Sequence, residues 1–172
     1  RRRILHLNTV LNQHLSILTA VSSEHYTTVL PHYGGSIGGH IRHSLDHFHK
    51  IFDSIPQIPA EVVQYDIRTR GSELETNKEV SIRAVEDLLE VTAAISADQF
   101  QNPRDVEFTS SAAGDSYIVH SSLGRELSFV AHHATHHLAF IKLMMKTLGY
   151  DVNSNIGVAP STQHHHKIKE EH

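Results

Sequence analysis

Two interleaved His-x-x-x-His pairs lie in one stretch, Val130-Ala131-His132-His133-Ala134-Thr135-His136-His137-Leu138-Ala139-Phe140-Ile141. Residues four apart share a helix face, so either pair, 132/136 or 133/137, has the spacing to chelate one metal ion. A second cluster, Ser36-Ile37-Gly38-Gly39-His40-Ile41-Arg42-His43-Ser44-Leu45-Asp46-His47-Phe48, supplies three more imidazoles. Histidine is the commonest metal ligand and the side chain that titrates nearest neutral pH. All-imidazole ligation suits Zn, Ni, Cu or Fe and suits Mg or Ca poorly. Two histidines from one helix and one from another would leave an open coordination position, the design of a catalytic zinc site. An ion held that way lowers the pKa of a bound water or holds a thiolate or a carbonyl oxygen.

Helical geometry ranks these histidines. With Ala134 as zero and about 100° per residue, Leu127, Val130, Leu138, Ile141, Met145 and Leu148 form one apolar stripe. His137 and His133 fall on its flank, near about −60° and −100°, whereas His132 and His136 lie on the opposite, solvent side. A buried imidazole needs a hydrogen-bond partner or a metal. In the second cluster His40, His43 and His47 share a wedge beside the stripe of Ile37, Ile41, Leu45, Phe48 and Phe52. The pattern makes His40 or His47 more inward than His43.

The elements that must carry these clusters are read from apolar spacing and stop signals. A first helix is expected over 3–28, with Ile4, Leu7, Leu11, Leu15, Leu18 and Val21 inward and His14 and His25 at the stripe's edge. Pro31 and Gly34-Gly35 end it. Ser36 is the expected N-cap of a second helix over 37–54. Residues 59–77 form a long polar connection containing Tyr65, Arg68 and Arg70, and long ordered loops are often functional. A third helix is expected over 77–96, with Val80, Ala84, Leu88, Val91 and Ile95 inward. Val106–Thr109 and Tyr117–Val119 are read as a small β-hairpin, and the fourth helix spans 122–148, stopped by Gly149. The expected architecture is an all-α four-helix bundle over 1–150, followed by an extended C-terminal tail over 151–172.

The bulk composition narrows the function. A chain of 172 residues with 39% apolar and 20% charged residues suits one soluble domain. The net charge is −4, and the basic cluster Arg1-Arg2-Arg3 is short, so no nucleic-acid partner is expected. The absence of cysteine removes thiolate ligands and a protein thiol nucleophile, and fits a cytoplasmic setting. No apolar run approaches the roughly 20 residues that span a bilayer, so no membrane partner is expected. Histidine is the anomaly, at 17 residues against 15 Lys and Arg together. His164-His165-His166 and His172 sit in the polar tail, and His6, His32, His49 and His120 are read as surface or loop residues.

These motifs resemble the DinB-like superfamily, including its YfiT-like members, over Leu11 to about Gly149. The resemblance implies a four-helix bundle in which one histidine of the second helix and an HxxxH pair of the last helix bind a metal. His43 and Asp46 match the family's histidine and the acidic residue three positions on. His133-Ala134-Thr135-His136-His137-Leu138-Ala139 matches the family's His-x-x-His-His-x-Ala. The ligands so implied are His43, His133 and His137, with His47 and His40 in reserve as a fourth ligand or as supporting groups. The helix projection disagrees about the second helix, and the resemblance is followed there.

Two functions are then expected to compete. One is a metal-dependent enzyme carrying Zn or Ni, a hydrolase or a transferase that uses a low-molecular-weight thiol. Its catalytic candidates are His47, His40 and Asp46, and its candidate substrate-binding residues are Tyr65, Arg68 and Arg70. The alternative is a non-catalytic metal-binding or stress-related bundle, in either case a possible homodimer.

Overall fold

A computed structural model of the chain describes residues 2–56, 61–67 and 71–170, with the side chains of residues 2, 3 and 170 set aside. Arg68 and Arg70 therefore lie outside the described residues. Four long helices dominate: α1 (Arg2–Ala20), α3 (Ile37–Asp53), α5 (Lys78–Ala94) and α6 (Leu123–Thr147). Short helices α2 (Ser23–Thr27) and α4 (Glu73–Thr76) lie between them, and α7 (Pro160–Glu170) follows. Helices α1 and α3 each pack on both α5 and α6, so α1 and α3 stand on a diagonal of the bundle. His14 spans that diagonal, with Nε2 2.9 Å from Ser44 Oγ. No described helix is long and apolar enough to cross a membrane.

The expected hairpin forms and is longer than expected. Strands β2 (Pro103–Thr109) and β3 (Ser116–Ser122) pair antiparallel, with Val106 opposite Val119 and Phe108 opposite Tyr117. A two-residue strand β1 (Val63–Gln64) adds to β2 in parallel, giving the order β1-β2-β3.

The caps explain several boundaries. Ser36 accepts a hydrogen bond from Gly39 N at 3.0 Å and starts α3, as its type predicts. Gly149, at φ 88, stops α6 in the left-handed conformation that glycine tolerates best. The first helix is shorter than the apolar stripe suggests. Ser22 caps a new turn by accepting from His25 N, and its own N–H donates to the Tyr150 hydroxyl at 3.0 Å. That break swings Tyr26 into the core, where its hydroxyl donates to the Leu74 carbonyl at 2.5 Å.

Helix α5 presents a face rotated from the expected one. Ser81, Val85, Leu88 and Thr92 are buried, whereas Val91 is 41% exposed. Both hydroxyls are satisfied inside, Ser81 by Tyr26 and Leu74 and Thr92 by the Leu88 carbonyl, so their burial costs little.

The stretch after Gly149 is not an extended tail. Val152 and Ile156 bury their side chains in the core, and Pro160 opens α7. Gly157 crosses α6 so closely that a Cβ there would sit 2.3 Å from Ala139 N, at a φ of 68. Its N–H donates to Gln13 Oε1 at 3.1 Å, and Lys142 Nζ donates to the Ser154 carbonyl at 3.1 Å. Gly157→Ala combines a backbone clash with a left-handed φ, so it is expected to cost about 2 kcal/mol or more. The check is a urea unfolding curve, whose midpoint should fall well below that of the parent chain.

Candidate metal centre

On α6 the apolar stripe of Leu127, Val130, Ala134, Leu138, Ile141 and Met145 is buried, which fixes the roll of the helix. His133 and His137 then sit on the half-buried flank, and His132 and His136 face outward, as the projection indicates. Helix α3 is the principal partner of that flank. Its own roll buries Ile37, Ile41, Leu45, Phe48 and Phe52 together with the polar Arg42, Ser44 and His47.

These two rolls bring His43, His133 and His137 together. One ligand atom from each lies within 4.8 Å of the other two. Ring centroids are 5.0 Å apart for 43/133, 4.7 Å for 43/137 and 4.6 Å for 133/137. Nitrogen ligands about 2.0–2.1 Å from a tetrahedral ion stand roughly 3.4 Å apart, so small side-chain rotations separate this arrangement from a coordination triangle. Burial pushes the His137 imidazolium pKa down to about 3, helped by the neighbouring His43 and His40. His137 is therefore neutral at pH 7, with a lone pair to offer.

His47 does not join the three. It is the most buried of the α3 histidines, as the helix pattern suggested, and its Nδ1 donates to the His43 carbonyl at 3.0 Å. Its ring stacks on His133 at 3.9 Å between centroids and 21° between planes. His40 is half-buried on the other side, with Nδ1 3.1 Å from His137 Nδ1 and Nε2 2.9 Å from the Tyr33 carbonyl. Asp46 accepts from Arg42 Nη1 at 2.9 Å and stands outside the histidine group.

Tyr65 is placed differently from the expected substrate loop. It is 2% exposed, stacks on the far face of His47 at 5.1 Å, and donates to Glu126 Oε2 at 3.0 Å. Glu126 is also buried and accepts from Ser121 Oγ at 2.6 Å and Arg125 Nη1 at 3.1 Å. So a row of rings runs from His133 through His47 to Tyr65, anchored on a carboxylate. Sequence pattern had no means to pair Tyr65 with Glu126 across so much chain. Tyr65→Phe keeps the ring and removes one donor from a buried anion, an expected loss of about 1.5–3 kcal/mol. Denaturant unfolding checks it, and an unchanged midpoint would show that solvent replaces the donor without loss.

Two of the three histidines, His43 and His137, border a cavity at the start of α3. This polar cavity of about 220 Å³ is lined by Gly34, Ser36, Gly39, His40, Arg42, His43, Glu75 and His137 among others. Arg42 Nε lies 3.4 Å from Glu75 Oε2, an ion-pair distance with poor hydrogen-bond alignment. Neither Glu75 nor Arg42 carries a spacing that marks it as a site residue in the sequence. Arg42 stands among the histidines of α3, and Glu75 arrives on α4. A Cβ on Gly38 would lie 2.1 Å from the Glu75 carbonyl oxygen, so only glycine lets α4 approach that closely.

Comparisons with known proteins agree with this architecture. The DinB family model matches residues 4–159. The structure of YfiT from Bacillus subtilis, described as a probable metal-dependent hydrolase with an unusual four-helix bundle topology, superposes with a TM-score of 0.61 at 17% identity. That match covers 87% of each chain. A Rhizopus delemar protein named FK506-binding protein 5 is 36% identical over 110 residues, which is 62% of this chain and 28% of that protein. The chain matches little more than a quarter of that relative's length.

Proposed function

The chain belongs to the DinB family, and on that premise we propose that it is a metal-dependent hydrolase holding a divalent transition metal on His43, His133 and His137. The observation that carries this reading is the convergence of three imidazoles from two helices, with ligand atoms within 4.8 Å of one another. Their chemistry favours Zn or Ni over Mg or Ca. The description of YfiT as a probable metal-dependent hydrolase supports hydrolysis as the reaction class.

Such an ion supplies Lewis acidity and a route to a nucleophile at neutral pH. The chain's own residues do the rest. Three protein ligands leave a position open, and the adjoining cavity of about 220 Å³ opens onto His43 and His137, where a small polar substrate fits. Glu75 presents a carboxylate beside Gly39, with Oε1 3.7 Å from where a Cβ on that glycine would stand. That oxygen is placed to accept a hydrogen bond from a substrate N–H or O–H. The ring row of His47 and Tyr65 packs against His133, and the cavity beside His43 and His137 offers substrate an approach from the α3 end.

A panel of small esters and amides tests the proposal. Hydrolysis should be lost on chelation, return on adding Zn or Ni, and be absent from His133→Ala. Turnover that persists equally in chelator, or in that variant, would remove the metal from the reaction.

A further inference from the structure

We propose that His40 is a positioning residue that locks His137 in one tautomer, with its Nε2 lone pair turned to the ion. The inference rests on His137 being a ligand, but its first test does not need a metal.

The hydrogen bonds dictate the tautomers one after another. His40 Nε2 lies 2.9 Å from the Tyr33 carbonyl oxygen, which can only accept, so Nε2 carries the hydrogen. A neutral imidazole has one N–H, so His40 Nδ1 is an acceptor. That Nδ1 stands 3.1 Å from His137 Nδ1, and one hydrogen must lie between them. It therefore belongs to His137, whose remaining lone pair is on Nε2. Carbonyl, imidazole and imidazole thus form a directed chain, Tyr33 C=O accepting from His40 and His40 accepting from His137. Ligating histidines commonly donate their other N–H to an oriented acceptor, which fixes the ring and raises its basicity. Here that acceptor is a second imidazole.

The loop ahead of α3 holds the far end of this chain still. Leu30 N donates to the Gly35 carbonyl at 2.8 Å and Tyr33 N to the Leu30 carbonyl at 2.9 Å. Gly34 closes the turn at φ 76, a left-handed conformation that suits glycine. The Tyr33 hydroxyl is 2.8 Å from Thr147 Oγ1 on α6, and the His40 ring stacks on Phe140 of the same helix at 6° between planes. Both anchors are on α6, the helix that carries His137. With both nitrogens engaged, His40 has no lone pair left to serve as a fourth ligand, so the open position stays open.

Long-range proton–nitrogen NMR of the metal-free protein at pH 7.5 reads imidazole tautomers directly. It should show His137 as the Nδ1–H form and His40 as the Nε2–H form. Finding His137 as Nε2–H, or as an average of both forms, overturns the proposal. Zinc titration then measures the consequence. His40→Phe keeps the stacking on Phe140 and removes the acceptor, so affinity should drop roughly 10–100-fold, the range for outer partners of metal ligands. His40→Gln, with one acceptor and one donor on its amide, should recover most of that loss. Wild-type affinity in His40→Phe overturns the positioning role even if the tautomers are as stated. If His40→Phe does not fold, the wild-type spectrum and His40→Gln still decide. A wild-type chain that binds no zinc defeats the metal reading alone, because the tautomer assignment is made without metal.

Discussion

Replacing His133 with Ala is expected to abolish stoichiometric zinc binding while leaving the helical circular dichroism of the chain essentially unchanged. The size of the effect follows from its place in the arrangement. Outer partners of a ligand are worth roughly 10–100-fold in affinity, and a direct ligand must be worth more. The fold should survive because His133 is half-buried on the flank of α6, beside rather than within the apolar stripe. The truncation also uncovers the face of His47 that now stacks on it at 3.9 Å. That cost falls on stability, not on secondary structure. Exposed His164, His165 and His166 on α7 offer an adventitious site, so the titration belongs on a background with those three changed to Ala. Equal affinity in His133→Ala would mean that His133 is a packing residue.

The second large effect concerns acid. His14 is fully buried between α1 and α3, with Nδ1 donating to the Val10 carbonyl at 2.7 Å and Nε2 accepting from Ser44. Burial pushes its pKa down from 6.5 to about 4, against a smaller opposing pull from the Val10 carbonyl. The unfolded chain therefore takes up this proton before the folded chain does. The stabilisation is full above about pH 6.5 and drains away as pH falls toward about 4, a loss of up to about 3 kcal/mol. His14→Gln can keep a donor and an acceptor without titrating. Urea unfolding in chelator at pH 7.5, 5.5 and 4.5 should show the parent losing more stability than His14→Gln. Parallel losses in the two chains would place the acid sensitivity elsewhere.

The sequence is most informative about α6. A strong apolar stripe ranks His133 and His137 above His132 and His136, and the structure has that order, because the stripe sets the roll of that helix even though Glu126 and Thr135 are also buried on it. In α3 the same projection puts His43 furthest from the stripe, yet His43 faces α6 beside His133 and His137. The roll there answers to buried polar groups with partners, Ser44 with His14 and Arg42 with the half-buried Asp46 and Glu75, which a hydrophobic pattern treats as surface. Helix α5 is misread for the same reason, since Ser81 and Thr92 are buried with their hydroxyls satisfied. Local stops were readable where one residue acts alone, as with Ser36 and Gly149. They were not readable where a distant group completes the stop, as Tyr150 does at Ser22. The docking of 151–159 depends on the close pass of Gly157 over Ala139, a contact between segments that no local pattern encodes. Arg68 and Arg70 lie outside the described residues, and Tyr65 is buried with its ring stacked on His47.

X-ray absorption spectroscopy of the zinc-loaded chain, with His164, His165 and His166 changed to Ala, counts imidazoles around the ion. Three imidazole nitrogens at about 2.0–2.1 Å, with one further oxygen ligand, are the predicted result. Two imidazoles or fewer, four imidazoles, or no bound zinc would contradict a three-histidine centre with an open position.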